Sequence, residues 1–536
     1  WKSLFDVINM TSTSLGRRYL KNVVSIPLID KIRIEERYNL IRDMILDENY
    51  ILFEEELKCI NDIERLHRRI SLQLLHPYEF YNLLESYNKI INLFQLIKNN
   101  DKLKKLDNTD SEKNLITFIN KYSAIFNLDE MMKYNLNDIN SSFFVKGYSS
   151  DIDKIQKKID TSQNFISDLA KKLEEFIDEK NYFSKKDSIK TLIKIEYKDK
   201  DGHYLVLTKR RRDLLLKGIK KNKIKELNIN DNIIKIEALE FKEFPKSSNV
   251  KIYVKDVEKH SDNLIIYQEK IKSMVKENYL ELLDKIYQDH NKLFENLVNL
   301  VSYVDFIKSG AKVAKKYNYT KPELDFESDK SYFESKGIRH PIVERINSES
   351  EYIANDISLG CEFNGEDTTG ILLYGLNSAG KSTLMKSIGL NIIMAQIGYF
   401  VSSNSFKFSP YTSLFTRISG NDNIFKGMSS YMVEMIELRA ILKRNDKNSL
   451  IICDEICRGT EVKSANIIVV AMIESLAKSQ SSFITASHLH ELVNYQRIQD
   501  ISNVKPYHLH VDYDEKRNLL IFDRLLTQGS GKSYYG

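Results

Sequence analysis

The stretch GLNSAGKST, from Gly375 to Thr383, decides how the second half of this chain folds. It fits the pattern G-x-x-x-x-G-K-[ST], a glycine-rich loop whose backbone N–H groups surround phosphates. GILLYG precedes the loop as a predicted strand and TLMKSIGLNIIMAQIG follows it as a predicted helix. VSSNSFKF, SLIICDE and SSFITASH are further strand candidates between helical stretches, as in an α/β domain. The stretch therefore predicts a nucleoside triphosphate site rather than a chance glycine-rich turn.

The residues of this loop have separate expected contacts with a nucleotide. Gly375 and Gly380 let the backbone approach the phosphates, so that the N–H groups through Lys381 and the start of the helix face them. Lys381 is expected to neutralise the β- and γ-phosphates, and Ser382 to offer its hydroxyl to Mg²⁺. Thr383 completes the motif and belongs to the same predicted binding set.

A second part of the site is predicted 73 positions after Lys381, where the apolar SLIIC runs into Asp454 and Glu455. Asp454 is expected to hold Mg²⁺ through its water shell, and Glu455 to polarise the attacking water. The strand candidate FITAS leads to His488, which would contact the γ-phosphate. A solvated acidic pair and a structural histidine are the alternatives. An acidic pair with a histidine strand is typical of ABC-like ATPases, in which ATP lies between two subunits.

Composition limits the possible partners. Lys and Arg total 80 against 75 for Asp and Glu, a net charge of +5. Nucleic acid would therefore have to meet a local basic patch and not a general positive field. Four cysteines in 536 residues form no disulfide framework. Cys453 and Cys457 could be a metal pair, but buried free thiols are favoured, and we expect an intracellular, reducing compartment: nucleus, cytoplasm, viral factory or mitochondrion.

No apolar run reaches the roughly 18 residues that a membrane span needs, so no membrane contact is expected. The most apolar stretch, ANIIVVAMIESLA, is expected to be a buried helix. The chain begins with Trp1 and not with Met, and we expect it to be part of a longer protein. No targeting peptide is visible in it.

Long helices are predicted on both sides of a β-rich segment. No proline lies between residues 77 and 245, which favours extended helices. Apolar residues recur every three or four positions over residues 152–177 and again over 271–300. Between them, LIKIEYKDKDGHYLVLT alternates around Asp201-Gly202 as a β-hairpin does, and NVKIYVKD is another predicted strand. Two antiparallel helical arms with a small β-rich module at the tip are expected.

Taken together, these motifs resemble those of the MutS family of DNA mismatch-repair ATPases. The family's loop has asparagine at its third position, where Asn377 stands, and its D-E-x-x-R-G-T motif is present as DEICRGT. Its G-x-S-x-x-M-V-E-M element appears as GMSSYMVEM, its histidine motif as TASHLHEL, and its R-H-P as Arg339-His340-Pro341. The resemblance implies that Asn377 and Tyr352, in YIAND, contact ATP, and that Ser429 contacts the ATP of a second subunit.

Several positions depart from the family's pattern. Met428 stands where the family often has arginine, so the contact across the dimer would depend on Ser429. Cys457 replaces the usual glycine before Arg458. The stretch SSNVKIYVKDVEKHSDNL resembles a branch of the family found in giant viruses and octocoral mitochondria, in which a nuclease domain follows.

The resemblance runs from about Trp1 to Gly536 and implies a multidomain fold that combines α and α/β parts. The matched part does not include the family's amino-terminal mismatch-reading domain, its connector or its final helix–turn–helix. The implied segments are a helical core domain (1–148), a first lever helix (149–184), a β-rich DNA clamp (185–258), a returning lever helix antiparallel to the first (259–320) and an ABC-like P-loop ATPase domain (321–536).

A basic run, LTKRRRDLLLKGIKKNKIKEL, lies within the implied clamp. Such a run is usually a solvated surface. The family's clamp touches the DNA backbone, however, so contact with phosphates and without base reading is favoured. The residues expected to contact DNA are Lys209, Arg210, Arg211, Arg212, Lys217, Lys220 and Lys221.

The resemblance implies a homodimeric clamp on double-stranded DNA, mismatched or branched, that couples the binding and hydrolysis of ATP with Mg²⁺ to mismatch or lesion recognition. A MutS-like clamp that stabilises recombination junctions without reading mismatches stays open as an alternative. An ABC-type chromosome-organising ATPase is the other, although it would need longer coiled coils and an L-S-G-G signature.

Overall fold

A computed structural model of the chain describes residues 3–106, 108–177, 191–198, 202–229, 232–245, 247–346, 352–376, 379–418, 430–457, 461–487, 489–514 and 519–531. The chain divides into two compact units. The first comprises Trp1–Asp62, Asn88–Thr109 and Asn296–Gly536, and the second comprises Ile63–Tyr87 and Asp110–Glu295. The predicted mixture of helical and sheet parts in a multidomain chain is confirmed, and the five finer segments stay a prediction.

The helices of the described residues follow one another along the whole chain. They are α1 (Leu4–Ile8), α2 (Ser14–Ser25), α3 (Lys31–Ile45), α4 (Asn49–Lys58), α5 (Ile63–Ser71), α6 (Pro77–Lys98), α7 (Thr109–Ser123), α8 (Leu128–Met131), α9 (Ser150–Glu174), α10 (Lys209–Lys221), α11 (Lys255–Tyr317), α12 (Val343–Ile346), α13 (Lys381–Gln396), α14 (Ser430–Arg444), α15 (Val462–Lys478) and α16 (Gln496–Gln499). None of these is both long and apolar enough for a bilayer crossing.

The strands occur in two stretches of the chain, one within each unit. They are β1 (Lys194–Lys198), β2 (Gly202–Thr208), β3 (Glu226–Ile229), β4 (Asn232–Lys235), β5 (Glu240–Glu243), β6 (Asn249–Tyr253), β7 (Glu323–Leu324), β8 (Tyr332–Ile338), β9 (Asn355–Leu359), β10 (Cys361–Phe363), β11 (Glu366–Thr368), β12 (Gly370–Tyr374), β13 (Ser405–Ser409), β14 (Ser413–Arg417), β15 (Ser449–Asp454), β16 (Ser482–Ala486), β17 (Val504–Leu509), β18 (Asp512–Asp514), β19 (Leu519–Ile521) and β20 (Leu526–Gln528).

A six-stranded sheet forms the centre of the carboxyl-terminal part of the first unit. Its order is β14-β15-β16-β12-β17-β20, and every pair is parallel except β17 with β20. Strands β12, β15 and β16 are buried along their whole length, because helices cover both faces. The predicted strands GILLYG, SLIICDE and SSFITASH are confirmed here.

The two faces of this sheet pack against different helices. On one face, residues such as Leu372, Ile451 and Phe483 join a cluster with Val469 and Ile473 of α15. Each such buried side chain contributes roughly 1.5–3 kcal/mol relative to an exposed one. On the other face lies α13, where a Cβ on Gly389 would come within 3.2 Å of Ile452. The two layers fix the carboxyl ends of β12 and β15 beside the start of α13.

The amino-terminal part of the first unit is attached through a fully buried ion pair. Asp305 and Lys308, one turn apart on α11, are both 0% exposed and lie 3.0 Å apart. Asp305 accepts hydrogen bonds from the backbone N–H groups of Ser12 and Thr13, and Lys308 donates to the carbonyl of Met10. A Cβ on Gly16 would overlap the Asp305 carboxylate, which explains the glycine in TSTSLG.

In the second unit, α9 runs antiparallel to the first part of α11. Lys158 lies over the ring of Tyr267, while Phe165, further along α9, stacks on His260, which is earlier in α11. The apolar positions that predicted α9 are buried, including Ile152, Ile159 and Leu173. Both predicted helices are therefore confirmed, and α11 begins at Lys255, earlier than its apolar repeat indicated.

The β-rich module contains a helix as well as strands. β1 and β2 pair antiparallel with Lys198 opposite Gly202, which confirms the hairpin, and the sheet order is β1-β2-β6-β5. The basic run forms α10, whose first turn is capped by the Thr208 hydroxyl accepting from the N–H of Arg211 over 3.3 Å. At Gly218, α10 meets the carbonyl of Phe176 so closely that a Cβ would overlap it.

Candidate functional site

The phosphate loop connects the end of β12 to the start of α13. Gly375 and Gly380 have φ angles of +148° and +105°. Residues with a Cβ are strained in this region, so the two glycines of the motif are needed for its backbone conformation. Asn377 and Ser378 fall outside the described residues. Lys381, Ser382 and Thr383 form the first turn of α13, and the start of a helix directs backbone N–H groups and a positive dipole end toward the loop.

Lys381 is only 5% exposed, although its side chain is charged. Its Nζ atom donates to the carbonyl oxygens of Gly375, over 2.7 Å, and Leu376, over 3.3 Å. The ammonium group therefore lies against the loop whose bound phosphates it is predicted to neutralise. Such a position suits a lysine that neutralises phosphate, because the loop carbonyls satisfy its hydrogens and hold its flexible stem.

Ser382 and Asp454, the two predicted Mg²⁺ ligands, are in direct contact. The Ser382 hydroxyl donates to Oδ2 of Asp454 over 2.5 Å. Asp454 is 5% exposed, and its Oδ1 is buried with no hydrogen-bond partner among the described residues. A buried carboxylate oxygen of this kind is costly unless a cation or donor meets it. Mg²⁺ commonly takes one or two protein oxygens together with phosphates and water, so this pair fits it.

Glu455 lies just beyond the end of β15, at the edge where the parallel strands end. Its N–H donates to the carbonyl of Ala486 at the end of β16, over 3.1 Å. Its φ angle is +54°, and that of Cys457 is +66°. The N–H of Cys457 donates to Oε1 of Glu434 on α14, over 3.0 Å. The turn after Asp454 is therefore left-handed at two non-glycine residues.

Two predicted residues, His488 and Ser429, fall outside the described residues. The residues on either side of His488 are described. The N–H of Ser487 donates to the carbonyl of Leu373 on β12, over 3.1 Å, and its hydroxyl accepts from the N–H of Leu489. Ser487 is thus held next to the strand that enters the phosphate loop.

Tyr352 lies beside α13 and not in the loop itself. Burial raises the pKa of its phenol to about 12, and its hydroxyl interacts with Ser387 of α13. Asn355 joins this segment to the end of the sheet, because its Oδ1 accepts from the N–H of Leu526 over 2.7 Å. Its Nδ2 donates to the carbonyl of Arg524 over 3.2 Å.

Arg524 is a candidate site residue that the sequence did not reveal. Its φ angle is +56°, and a Cβ on Gly380 would lie 3.9 Å from its Cδ atom. Its positive charge also acts on the phenol of Tyr352. A cationic side chain therefore stands next to the phosphate loop. Arg524 stands alone in IFDRLL and belongs to no motif. It lies next to the phosphate loop because the chain returns through β17 and β20.

The cysteines are free, as predicted, and Cys453 and Cys457 are buried. Burial raises the pKa of the Cys453 thiol to about 12 and that of Cys457 to about 11. Both thiols are therefore protonated and unreactive at neutral pH. Within the described ranges, no group of three or more His, Cys, Asp or Glu side chains forms a metal site.

The seven residues predicted to contact DNA differ in their surroundings on α10. Lys209 and Arg212 both pair with Glu243 of β5 over 2.6 Å, and Arg211 donates to the carbonyl of Leu192. These ion pairs lower the pKa of the Glu243 carboxyl, Lys209 having the larger effect. The remaining four are exposed: Arg210, Lys217, Lys220 and Lys221. Helical spacing places Arg210, Lys217 and Lys221 on one face.

Comparisons with known proteins cover the whole chain. Residues 1–311 match the family model of MutS domain III, and residues 371–536 match that of MutS domain V. The chain is 38% identical over 572 residues to a DNA mismatch repair protein MutS homolog of Acanthamoeba polyphaga mimivirus, covering 100% of this chain and 50% of that protein.

Two further relatives come from a mitochondrial and a bacterial source. The mitochondrial DNA mismatch repair protein MutS homolog of Sarcophyton glaucum is 32% identical over 545 residues, covering 99% of this chain and 51% of the relative. DNA mismatch repair protein MutS of Clostridioides difficile is 30% identical over 539 residues, covering 99% and 52%. The chain thus spans about half the length of the curated relatives that it matches.

These relatives include the giant-virus and octocoral proteins that the sequence indicated. Two family models match separate parts of the chain, and the larger match alone covers more than half of it. Three of the motifs that carry the resemblance lie at the phosphate loop and at the ends of β15 and β16. This chain belongs to the MutS family.

Proposed function

We propose that this chain binds and hydrolyses ATP with Mg²⁺, and couples that cycle to clamping double-stranded DNA as a homodimer in mismatch or lesion repair. One observation carries the proposal. Ser382 of the phosphate loop and Asp454 at the end of β15 are hydrogen-bonded, and Asp454 presents a second, buried oxygen without a partner among the described residues. Mg²⁺ usually takes one or two protein oxygens together with nucleotide phosphates and water, and these two side chains would supply such oxygens.

The parts of the chain would divide this work. The sheet and helices of residues 321–536 would be an ABC-like ATPase domain. The antiparallel pair of α9 and α11 (149–184 and 259–320) would be lever helices, and residues 185–258 would be the DNA clamp. Residues 1–148 would be the core domain to which the levers are attached. The match to MutS domains III and V supports this division.

The protein's own residues would perform the hydrolysis as follows. Lys381 would turn from the loop carbonyls to the β- and γ-phosphates, and the N–H groups at the start of α13 would hold the same phosphates. Ser382 and Asp454 would hold Mg²⁺, which when bound neutralises phosphate charge. Glu455 would accept a hydrogen bond from the attacking water and orient it in line with the γ-phosphate. His488 would donate to the γ-phosphate.

Nucleotide selection would involve residues on both sides of the loop. Asn377 and Tyr352 would contact ATP within one chain, with Arg524 beside them as a further cationic contact. Ser429 would contact the ATP bound by a second copy, so that hydrolysis would occur only when the dimer is closed. DNA would meet the exposed face of α10, whose lysines would neutralise phosphates without reading the base sequence.

The proposal is tested by measuring ATP hydrolysis by the purified complete chain, with and without duplex DNA. We expect Mg²⁺-dependent turnover that duplex DNA alters and that Asp454→Asn abolishes, while Asp454→Asn still binds DNA. Titration with matched and mismatched duplexes then tests the repair role. Turnover in the wild type no higher than in Asp454→Asn would overturn the proposal.

A further inference from the structure

Glu434 of α14 is a buried carboxylate that faces the backbone of the proposed catalytic turn. It is 7% exposed. Its Oε1 accepts the hydrogen bond from the N–H of Cys457 over 3.0 Å. Cys457, whose N–H donates to it, belongs to a buried apolar cluster that includes Cys453 and, from α14 itself, Leu438 and Ile441. A carboxylate is costly in such a place unless a donor meets it, and a charge-assisted hydrogen bond to backbone N–H is a strong one.

The turn that Glu434 contacts is conformationally strained. Glu455 and Cys457 have φ angles of +54° and +66°, a region that residues with a Cβ seldom occupy. Such conformations persist only where surrounding contacts impose them. Two described contacts do so. The N–H of Glu455 is held by the carbonyl of Ala486, and the N–H of Cys457 is held by Glu434.

We propose that Glu434 is a positioning residue for ATP hydrolysis, acting through the amide of Cys457 to fix the turn that carries Asp454 and Glu455. This inference rests on the proposed function. Loss of the Glu434 carboxylate would let the turn relax from its left-handed conformation. Glu455 would then no longer be held where it can orient water, whereas the phosphate loop, which binds ATP, would be untouched. We therefore expect loss of the carboxylate to lower kcat and to leave the Kd for ATP unchanged.

The test compares kcat with the equilibrium Kd for fluorescent ATP in the complete chain. Glu434→Ala is expected to lower kcat about tenfold, the size of one lost charge-assisted hydrogen bond, and to leave Kd within about twofold. Glu434→Gln keeps an oxygen that accepts the same N–H, and should retain most of kcat. The control is Glu437→Ala on the same helix, whose half-exposed carboxylate lies near Arg417 and should not affect turnover.

A second variant separates positioning from loss of helix packing. Glycine adopts a left-handed conformation without strain, so Cys457→Gly in the Glu434→Ala background should recover at least about threefold in kcat. Damaged packing of α14 would not be repaired by that glycine. Equal loss in the Ala and Gln variants, or full kcat in Glu434→Ala, overturns the inference while the proposed function stands. A wild type without ATP turnover removes both.

Discussion

The hydroxyl of Ser382 and the carboxylate of Asp454 are joined by a hydrogen bond of 2.5 Å, although the two residues are 72 positions apart in the sequence. The contact places an atom of the phosphate loop beside the end of a buried parallel strand. Oδ1 of Asp454 has no partner among the described residues and is therefore the atom that we expect to bind a divalent cation.

The first prediction concerns this pair and Mg²⁺. Ser382→Ala removes one expected ligand but keeps the carboxylate, and Asp454→Asn removes the negative charge. We expect the Mg²⁺ concentration for half-maximal ATP turnover to rise in Ser382→Ala, and turnover to be lost in Asp454→Asn at any concentration. Titration of Mg²⁺ at saturating ATP measures both. An unchanged half-maximal Mg²⁺ concentration in both variants would contradict the assignment.

The second prediction separates nucleotide binding from hydrolysis. Lys381 lies on the phosphate loop and Glu455 lies beyond the end of β15, so they are expected to act on different steps. Lys381→Ala should raise the Kd for ATP, because the ammonium neutralises phosphate charge. Glu455→Gln should leave Kd nearly unchanged and lower kcat by at least about a hundredfold. Titration with labelled nucleotide and steady-state turnover measure the two quantities. A similar loss of affinity in both variants would show that the roles are wrongly assigned.

The third prediction concerns the exposed lysines of α10. Each lysine that neutralises a DNA phosphate contributes about 0.9 to the slope of log K against log salt concentration. Replacing Lys217, Lys220 and Lys221 by alanine should flatten that slope by roughly two to three, equally for matched and mismatched duplexes. Fluorescence anisotropy at several salt concentrations measures it.

The control for α10 removes the same charge elsewhere. Lys102, Lys104 and Lys105 are exposed in a short 3₁₀-helix of the first unit, and their replacement by alanine should leave the slope unchanged. Glu243→Gln offers the reverse test. It removes the ion pairs of Lys209 and Arg212 with Glu243, although Arg212 keeps its pair with Asp213, and should strengthen DNA binding at low salt. Equal slopes in both triple variants would favour a solvated surface.

The fourth prediction concerns the buried pair of Asp305 and Lys308. Burial lowers the pKa of the Lys308 ammonium, opposed by the adjacent carboxylate. Lys308→Met leaves the Asp305 charge buried without its partner, and should reduce the free energy of unfolding by about 3–5 kcal/mol. The double variant Asp305→Asn with Lys308→Met should recover part of that loss. Urea unfolding followed by circular dichroism measures each value.

A surface ion pair provides the comparison for that loss. Arg18 and Asp62 lie 2.7 Å apart, but their side chains are 47% and 25% exposed. Arg18→Met should change the free energy of unfolding by no more than about 1 kcal/mol. If Lys308→Met costs as little as Arg18→Met, the buried pair does not stabilise the attachment of the amino-terminal segment.

The fifth prediction concerns pH and His340. Burial, and to a smaller extent the charge of Lys386, lowers the pKa of this imidazole from 6.5 to about 4. Between those values the unfolded chain takes up a proton that the folded chain does not. The free energy of unfolding should therefore fall as the pH drops from 6.5 to 4, by up to about 3 kcal/mol from this group.

The matched variant for His340 is His340→Asn. The Nδ1 atom of His340 accepts from the N–H groups of Ile342 and Val343, each over 3.2 Å, and the asparagine Oδ1 can accept them in its place. This variant cannot take up the proton, so its unfolding free energy should depend less on pH across that range. Parallel pH profiles for wild type and variant would mean that other groups cause the loss.

The sequence predicted local elements well, because their signals lie within a few residues. The apolar repeat of α9 and the antiparallel pairing of β1 with β2 are of this kind. The basic run lies between the strands of its module as expected, but its helix was not predicted, since Leu215 and Ile219 give only one helical repeat among many charged residues. Both of these are buried in α10.

The site residues that the sequence missed depend on contacts across the fold. Arg524 reaches the phosphate loop because β17 pairs with β12 and β20, which follows Arg524, pairs with β17. Glu434 meets the N–H of Cys457 from a separate helix. Arg524 lies in no motif, and the M-V-E-M motif contains Glu434 without indicating its partner, whereas Lys381, Ser382 and Asp454 are marked by their neighbours in the sequence.

The glycine at position 218 has a mechanical consequence. At Gly218, α10 meets the carbonyl of Phe176, just beyond the end of α9, so closely that no side chain fits between the two backbones at this point. A force applied to the lysines of α10 would pass into the long helix as a displacement, with little lost to side-chain rearrangement. We therefore expect this contact to be stiff in compression, and to depend on the absence of a single methyl group at position 218.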